Sequence, residues 1–225
     1  MTQKQFVIIF IAITVVAVIA LSVSSLSNYS SSTSTPAPTA SGNVLSAASS
    51  IPEEQTQPVS SETPVLTKKK YSQPFPDMSV DQLKNKKAVI ETNKGTIEFE
   101  IYPEATKAAT NFISLSNDGF YDGLTFHRVV PDFVIQGGDP VGNGTSGPGY
   151  KFPDEPVTKK YLKGMVAMAN SGPNTNGSQF FIMLKDNLDL PPNYTIFGKV
   201  TKGQDVVDKI VVGDMMNKIT IAPLK

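Results

Sequence analysis

Hydrophobic and polar positions change regime three times along the chain. From Phe6 to Leu26 the run FVIIFIAITVVAVIALSVSSL carries no charge and is apolar on every face. At about 1.5 Å per residue a helix of this run spans roughly 31 Å, the thickness of a bilayer core. A transmembrane helix is therefore expected within residues 1–26. Lys4 precedes it and no further lysine occurs before Lys68, so the N-terminus is expected in the cytoplasm and the remainder on the far side. A cleaved signal peptide is the competing reading, because the strongest apolar part ends near Leu21 and SVSS offers small residues to a peptidase. Both readings export the rest of the chain. Residues 27–70 then turn to Ser, Thr, Pro and Ala, with too few large apolar side chains to offset chain entropy. This is expected to be a disordered linker with a reach of roughly 35 Å, closed by the solvated run Lys68, Lys69 and Lys70.

The third regime, residues 71–225, is patterned as a folded domain. In TIEFEIY, Ile97, Phe99 and Ile101 alternate with Glu98 and Glu100, the period of a half-buried strand, and AVIET precedes it across NKG. A β-hairpin is expected there. Next, PEATKAATNFISLSNDGFYDG places Ala105, Ala108, Ala109, Phe112 and Ile113 on one helical stripe that ends near Gly119. Short β-rich runs follow in LTFHRVV, FVIQGG, GMVAMAN, SQFFIML and YTIFGKV, punctuated by Gly, Pro and Asn. A second helix fits GQDVVDKIVV, with Val206, Val207 and Ile210 on one face, and KITIAP makes a last strand. Many short strands with two helices favour a closed antiparallel barrel.

Charge and composition narrow the chemistry. The chain has 20 basic and 20 acidic residues. Lys4 alone of the former and Glu53, Glu54 and Glu62 of the latter precede Thr67, so the domain is nearly neutral, with scattered lysines. Nucleic acid is thereby disfavoured as a partner. With no cysteine there is no disulfide, thiolate nucleophile or zinc-thiolate site. GNGTSG has the spelling of a dinucleotide loop, but PGYKFPDEP follows and cannot open the helix that would receive a pyrophosphate. Ser178 lacks the strand-turn-helix setting of a nucleophile, and His127 is the single histidine available as a base. Asp139, Asp154 and Glu155 have no metal-ligand spacing and read as loop and turn caps. What stands out is Arg128, the one arginine, set in an apolar run where lysine serves everywhere else. A flat, always-charged, multi-donor fork is wanted at that position.

FHRVVPDFVIQGGDP, GMVAMANSGPNTNGSQFFIML and YTIFGKV, in this order and spacing, resemble the cyclophilin-type peptidyl-prolyl cis-trans isomerases from about Lys87 to the C-terminus. The resemblance implies a mainly β fold, a closed eight-stranded antiparallel β-barrel capped by two α-helices. It implies an enzyme that rotates X-Pro bonds, with no cofactor and no metal, acting as a monomer on proline-containing polypeptides. Arg128, Phe133 and Gln136 take the catalytic positions. His127, Val134, Ala169, Asn170, Ser171, Gln179, Phe181, Leu190 and Tyr194 take substrate-binding positions. Phe133, Phe181 and Leu190 would hold the proline ring, Gln136 and the Asn170 backbone the peptide, and Gln179 would orient Arg128. Phe133 and Phe181 also fit an ordinary barrel core, and His127 a groove edge. The chain departs from the family in having no tryptophan where NLDLPPNYTIFG stands, and in Val134 where many members have methionine. Binding of cyclosporin, the cyclic peptide that inhibits the family, is therefore expected to be weakened. A non-catalytic proline-peptide-binding chaperone or scaffold at the membrane is the alternative function.

Overall fold

The computed structural model describes residues 68–224, so the expected membrane or signal helix and nearly all of the linker lie outside the described residues. Among the described residues, no helix is long and apolar enough to cross a membrane. The hairpin forms as its alternation dictates. Strands β1 (Lys86–Thr92) and β2 (Gly95–Ile101) pair antiparallel with Ala88 opposite Phe99 and Ile90 opposite Ile97, all four fully buried. Thr92 Oγ1 donates to the Gly95 carbonyl at 2.7 Å and accepts from the Lys94 N–H at 3.0 Å, which closes the turn.

A short helix, α1 (Val80–Leu83), precedes β1 and is absent from the pattern-based expectation. Its signal is present in the sequence as Ser79-x-x-Gln82. The Ser79 hydroxyl accepts the Gln82 N–H at 3.3 Å while the Gln82 side chain accepts the Ser79 N–H at 2.8 Å, a reciprocal cap. Helix α2 (Thr106–Asn117) buries Ala108, Ala109, Phe112 and Ile113 as expected. Its N-cap, Ala105, has no capping side chain. Glu155 supplies the cap from a distant loop, accepting the N–H of Lys107 and of Ala108, both at 2.9 Å, at the positive end of the helix.

The remaining strands are β3 (Arg128–Val130), β4 (Val134–Gly137), β5 (Met165–Met168), β6 (Phe180–Met183), β7 (Ile196–Lys202) and β8 (Met216–Pro223). All eight strands join one antiparallel sheet in the order β3-β4-β6-β5-β7-β2-β1-β8. The regular ladder stops at β3 and β8. Irregular backbone bonds bridge the segments just before those edges: Gly123 N–H to Met216 O at 2.7 Å, Met216 N–H to Leu124 O at 2.8 Å, and Phe126 N–H to Asp214 O at 2.9 Å.

Helix α3 (Gln204–Val207) is shorter than the ten-residue run expected. Val207 and Ile210 are buried as the pattern requires, but beyond Val207 the bonds tighten to Lys209 N–H on Val206 O and Ile210 N–H on Val207 O. The Asp214 carboxylate then captures the Val211 N–H at 2.8 Å and draws the chain out of the helix. Val211 and Val212 consequently face solvent.

Two apolar clusters form on opposite sides of the sheet. The larger is the interior, with Ile135, Val166, Met168, Phe180 and Ile182 from β4, β5 and β6 packed against Phe112 and Phe197. The smaller comprises Val134, Tyr161, Met165, Ala167, Phe181, Met183 and Ile196. Successive residues of a strand point to opposite faces, so each of these three strands feeds both clusters.

Candidate active site

Strand register lines up the polar and apolar parts of the site. Arg128 lies opposite Gln136, Gln136 opposite Phe181, and Phe181 opposite Ala167, so one row crosses β3, β4, β6 and β5 on the face away from the interior. Along this row the Arg128 guanidinium donates through Nη1 to Gln136 Oε1 at 3.1 Å, and Gln136 Nε2 donates to Gln179 Oε1 at 2.9 Å. Gln179 Nε2 donates in turn to the carbonyls of Gly144 at 3.0 Å and Ser146 at 2.9 Å. Those two carbonyls accept and cannot donate, which fixes the Gln179 amide, hence the Gln136 amide, with its oxygen toward Arg128. Gln179 therefore orients Arg128 through Gln136 rather than by touching it.

The carbonyl-bearing loop is itself held by Asp139, a buried acid that sequence reading left as a loop cap. Its carboxylate accepts the N–H groups of Val141 at 2.9 Å, Asn143 at 3.2 Å and Gly144. Burial raises its pKa, but the backbone N–H donors outweigh that and hold it below the usual carboxylate value. Gly138 lets this turn leave β4: its φ is +86°, and a Cβ there would sit 2.4 Å from the Ser178 carbonyl oxygen.

The outer apolar cluster makes the other half of the site. Phe133, Ala169, Leu190 and Tyr194 are half-buried and pack against buried Val134 and Phe181. Phe133 and Phe181 thus belong to this face and not to the barrel interior. The Tyr194 ring stands edge-on to Phe181 at 5.6 Å between centroids. Tyr161, which sequence reading missed, holds Tyr194 in place, since its hydroxyl donates to the Tyr194 carbonyl at 2.9 Å and accepts the Tyr194 N–H at 3.0 Å. Burial first, and the neighbouring Tyr194, push the Tyr161 pKa up against the hydrogen bond to the Tyr194 carbonyl. No local motif marks that tyrosine.

Asn170 and Ser171 begin a loop at the rim. The Asn170 side chain donates to the Asn193 carbonyl at 2.8 Å, and the Ser171 N–H donates to Thr175 Oγ1 at 2.8 Å. Asp154, like Asp139, holds its loop: it accepts the Asn174 N–H and the Asn176 side-chain amide, both at 2.8 Å. Beyond Gln136, Ala169, Asn170 and Gln179 opens a polar groove of about 670 Å³. His127 is half-buried beside it, with both ring nitrogens buried and unpartnered. Burial lowers its pKa, Asp139 opposes the shift and Arg128 reinforces it, so the ring is neutral at pH 7. Among the described residues no cluster of His, Asp and Glu could hold a metal ion. Arg128 is exposed, and among the described residues no carboxylate lies within 4.0 Å of it. The structure therefore sets a positioned, uncompensated guanidinium at the end of the strand row that carries Phe181 of the outer cluster.

Comparison with known proteins places this arrangement. Residues 87–224 match the family described as cyclophilin type peptidyl-prolyl cis-trans isomerase. A peptidyl-prolyl cis-trans isomerase of Helicobacter pylori is 44% identical over 140 residues, 60% of this chain and 86% of that protein. Peptidyl-prolyl cis-trans isomerase B of Bacillus subtilis is 48% identical over 128 residues, 56% of this chain and 90% of that protein. The crystal structure of a Cryptosporidium parvum cyclophilin-type isomerase superposes with a TM-score of 0.58 at 35% identity, covering 61% of this chain and 97% of that one. The same protein crystallised in the presence of the dipeptide Ala-Pro gives a TM-score of 0.57 at 35% identity, covering 60% and 98%. On the matched motifs, the strand order and the site row, the chain belongs to the cyclophilin-type peptidyl-prolyl cis-trans isomerases.

Proposed function

We propose that the outer face binds an X-Pro segment of an exported polypeptide and rotates its peptide bond, with Phe133, Phe181 and Leu190 against the proline ring. The observation that carries this reading is Arg128, fixed by the Gln136-Gln179 relay beside those rings. An X-Pro bond is held by partial double-bond character with a barrier of about 18 to 20 kcal/mol. Rotation decouples the nitrogen lone pair from the carbonyl, so negative character returns to the prolyl nitrogen as the bond twists. A guanidinium held nearby stabilises that state more than either planar one, and its fork serves lone pair and carbonyl together. No bond breaks and no proton moves, which suits a neutral His127 and a site with no nucleophile. Closure of the eight strands into a full barrel, through the irregular bonds from residues 123–126 ahead of β3 to residues 214–216 at the start of β8, would give the row a stiff support.

The first test is a protease-coupled assay on a chromogenic X-Pro peptide. Acceleration well above the uncatalysed rate supports the reading; peptide binding without acceleration would make the domain a chaperone or scaffold module. For residues 1–26 the apolar length supports a membrane anchor with the domain outside the cytoplasm. The full-length protein is then expected to stay with membranes after carbonate washing, whereas a soluble form beginning between Ser22 and Ser34 would show a cleaved signal peptide. The domain is proposed to act as a monomer, which sedimentation of residues 68–225 checks.

A further inference from the structure

The family match begins at residue 87, yet the chain already lies against the domain from Lys68. The Lys68 ammonium donates to the Asp122 carbonyl, and the Tyr71 N–H donates to the Pro148 carbonyl at 2.8 Å. The Tyr71 ring packs with Phe75, Phe120 and Tyr150 at centroid distances of 5.2, 6.2 and 6.3 Å. Its hydroxyl donates to Asp118 at 3.1 Å. Gly149 has φ +109°, and a Cβ there would lie 2.6 Å from the Tyr71 carbonyl oxygen, so the loop is shaped to receive this arm. Residues 68–75 are thus built into the domain.

The arm delivers Lys70 to the groove beside the proline surface. Lys70 Nζ donates to Ser146 Oγ at 3.1 Å and to the Gly147 carbonyl at 2.6 Å, on the same loop whose Ser146 carbonyl fixes Gln179. An ammonium has three donors, so one is left over. Lys70 and Lys151 line the groove and no acidic residue does. Among the described residues neither lysine has a carboxylate within 4.0 Å. The groove shares Gln136, Ala169, Asn170 and Gln179 with the proline site, so a chain lying across that rim puts a neighbour of the proline into it.

We propose that Lys70, from an arm outside the family region, is a specificity residue that favours clients carrying an acidic side chain a few positions from the proline. The inference rests on the isomerase reading above. An acidic side chain meets a free donor and an uncompensated charge in a partly enclosed site; a basic one meets repulsion and no acceptor charge. Its test uses the full-length protein in neutral detergent, with exchange NMR giving kcat/KM on Ala-Pro peptides that carry Glu, Gln or Lys at each of three positions either side of the proline. A Glu-over-Lys ratio of about three to ten is expected at one or two positions at low salt, shrinking at high ionic strength. Lys70→Arg should keep the ratio, and Lys70→Glu should bring it to about one or below. Because both peptides are read on the same sample, the ratio cancels any loss common to them, and a thermal melt confirms folding. A wild-type ratio near one, or an unchanged ratio in Lys70→Glu, overturns the proposal. Failure of every peptide to turn over would instead remove the isomerase reading, and this inference with it.

Discussion

The two faces of β4, β5 and β6 are made from the same three short runs of sequence and do opposite work. Residues of one parity, Ile135, Val166, Met168, Phe180 and Ile182, close the interior and are fully buried. Those of the other parity face outward, and among them Gln136, Phe181 and Ala167 form a row that ends at the exposed Arg128. Phe180 and Phe181 are chain neighbours with the same side chain. The first packs edge-on to Phe112 at 5.4 Å in the core, the second edge-on to Tyr194 at 5.6 Å beneath the groove. If the proposed function holds, stability and chemistry are separated here by one residue of register, so a slip of one position would exchange them.

Substitutions can break the comparison from either side. The largest expected effect is on the inner face. Phe180→Ala should destabilise the domain by about 3 to 5 kcal/mol, because its ring leaves a cavity among Phe112, Tyr121 and neighbours that cannot collapse. Denaturant unfolding checks this. Next is Arg128→Ala on the outer face, expected to lower kcat/KM by about 100- to 1000-fold, equivalent to about 2.7 to 4 kcal/mol, with an unchanged melting curve. Arg128→Lys should recover a part of the activity, since a point ammonium keeps the charge and loses the fork. A smaller effect is expected at the rim of the outer face. Leu190 is half-buried in the outer wall and Leu188 stands 64% exposed, so Leu190→Trp should tighten cyclosporin binding relative to a weakly inhibited wild type. Titration calorimetry reads that change, and an already tight wild type would mean the wall is misassigned.

The smallest effect is a matter of pH. His127 is harder to protonate in the fold than in the unfolded chain. The unfolded state therefore takes up the extra proton, and this contribution to stability is present at pH 7 and lost as pH falls through about 6.5 toward the folded value. Asp139, held below its ordinary value, contributes stability above about pH 3.9 that is lost as pH falls through its folded pKa. As the chain has one histidine, a single imidazole resonance followed by NMR isolates the first of these. A midpoint at or above 6.5 would show the ring to be charged by the groove.

Legibility in the sequence follows the same division. TIEFEIY alternates because β2 has one face in the core, so its register could be read directly. VIQG, MVAM and FFIM do not alternate, since both faces of those strands are covered, and nothing in the runs tells Phe180 from Phe181. The motif resemblance singled out Phe181, and strand pairing supplied its partner row. Asp139 caps its own turn as its loop position suggested, but Glu155 on the end of α2 and Tyr161 under Tyr194 were illegible as roles, because each acts on backbone groups that only the fold brings near. Helix α3 fell short of its pattern because Asp214, four residues beyond Ile210, competes for a backbone donor that a helix would use.

The central claim is that turnover belongs to the outer row and stability to the inner one. Its most direct test is kcat/KM and unfolding free energy measured on the same preparations of Arg128→Ala and Phe180→Ala, with activity read where both remain folded. The account predicts that Arg128→Ala loses about 100-fold or more in turnover at wild-type stability, and that Phe180→Ala loses about 3 to 5 kcal/mol of stability with turnover per folded molecule largely kept. Near-normal turnover in folded Arg128→Ala, or its loss of stability in step with activity, would contradict it.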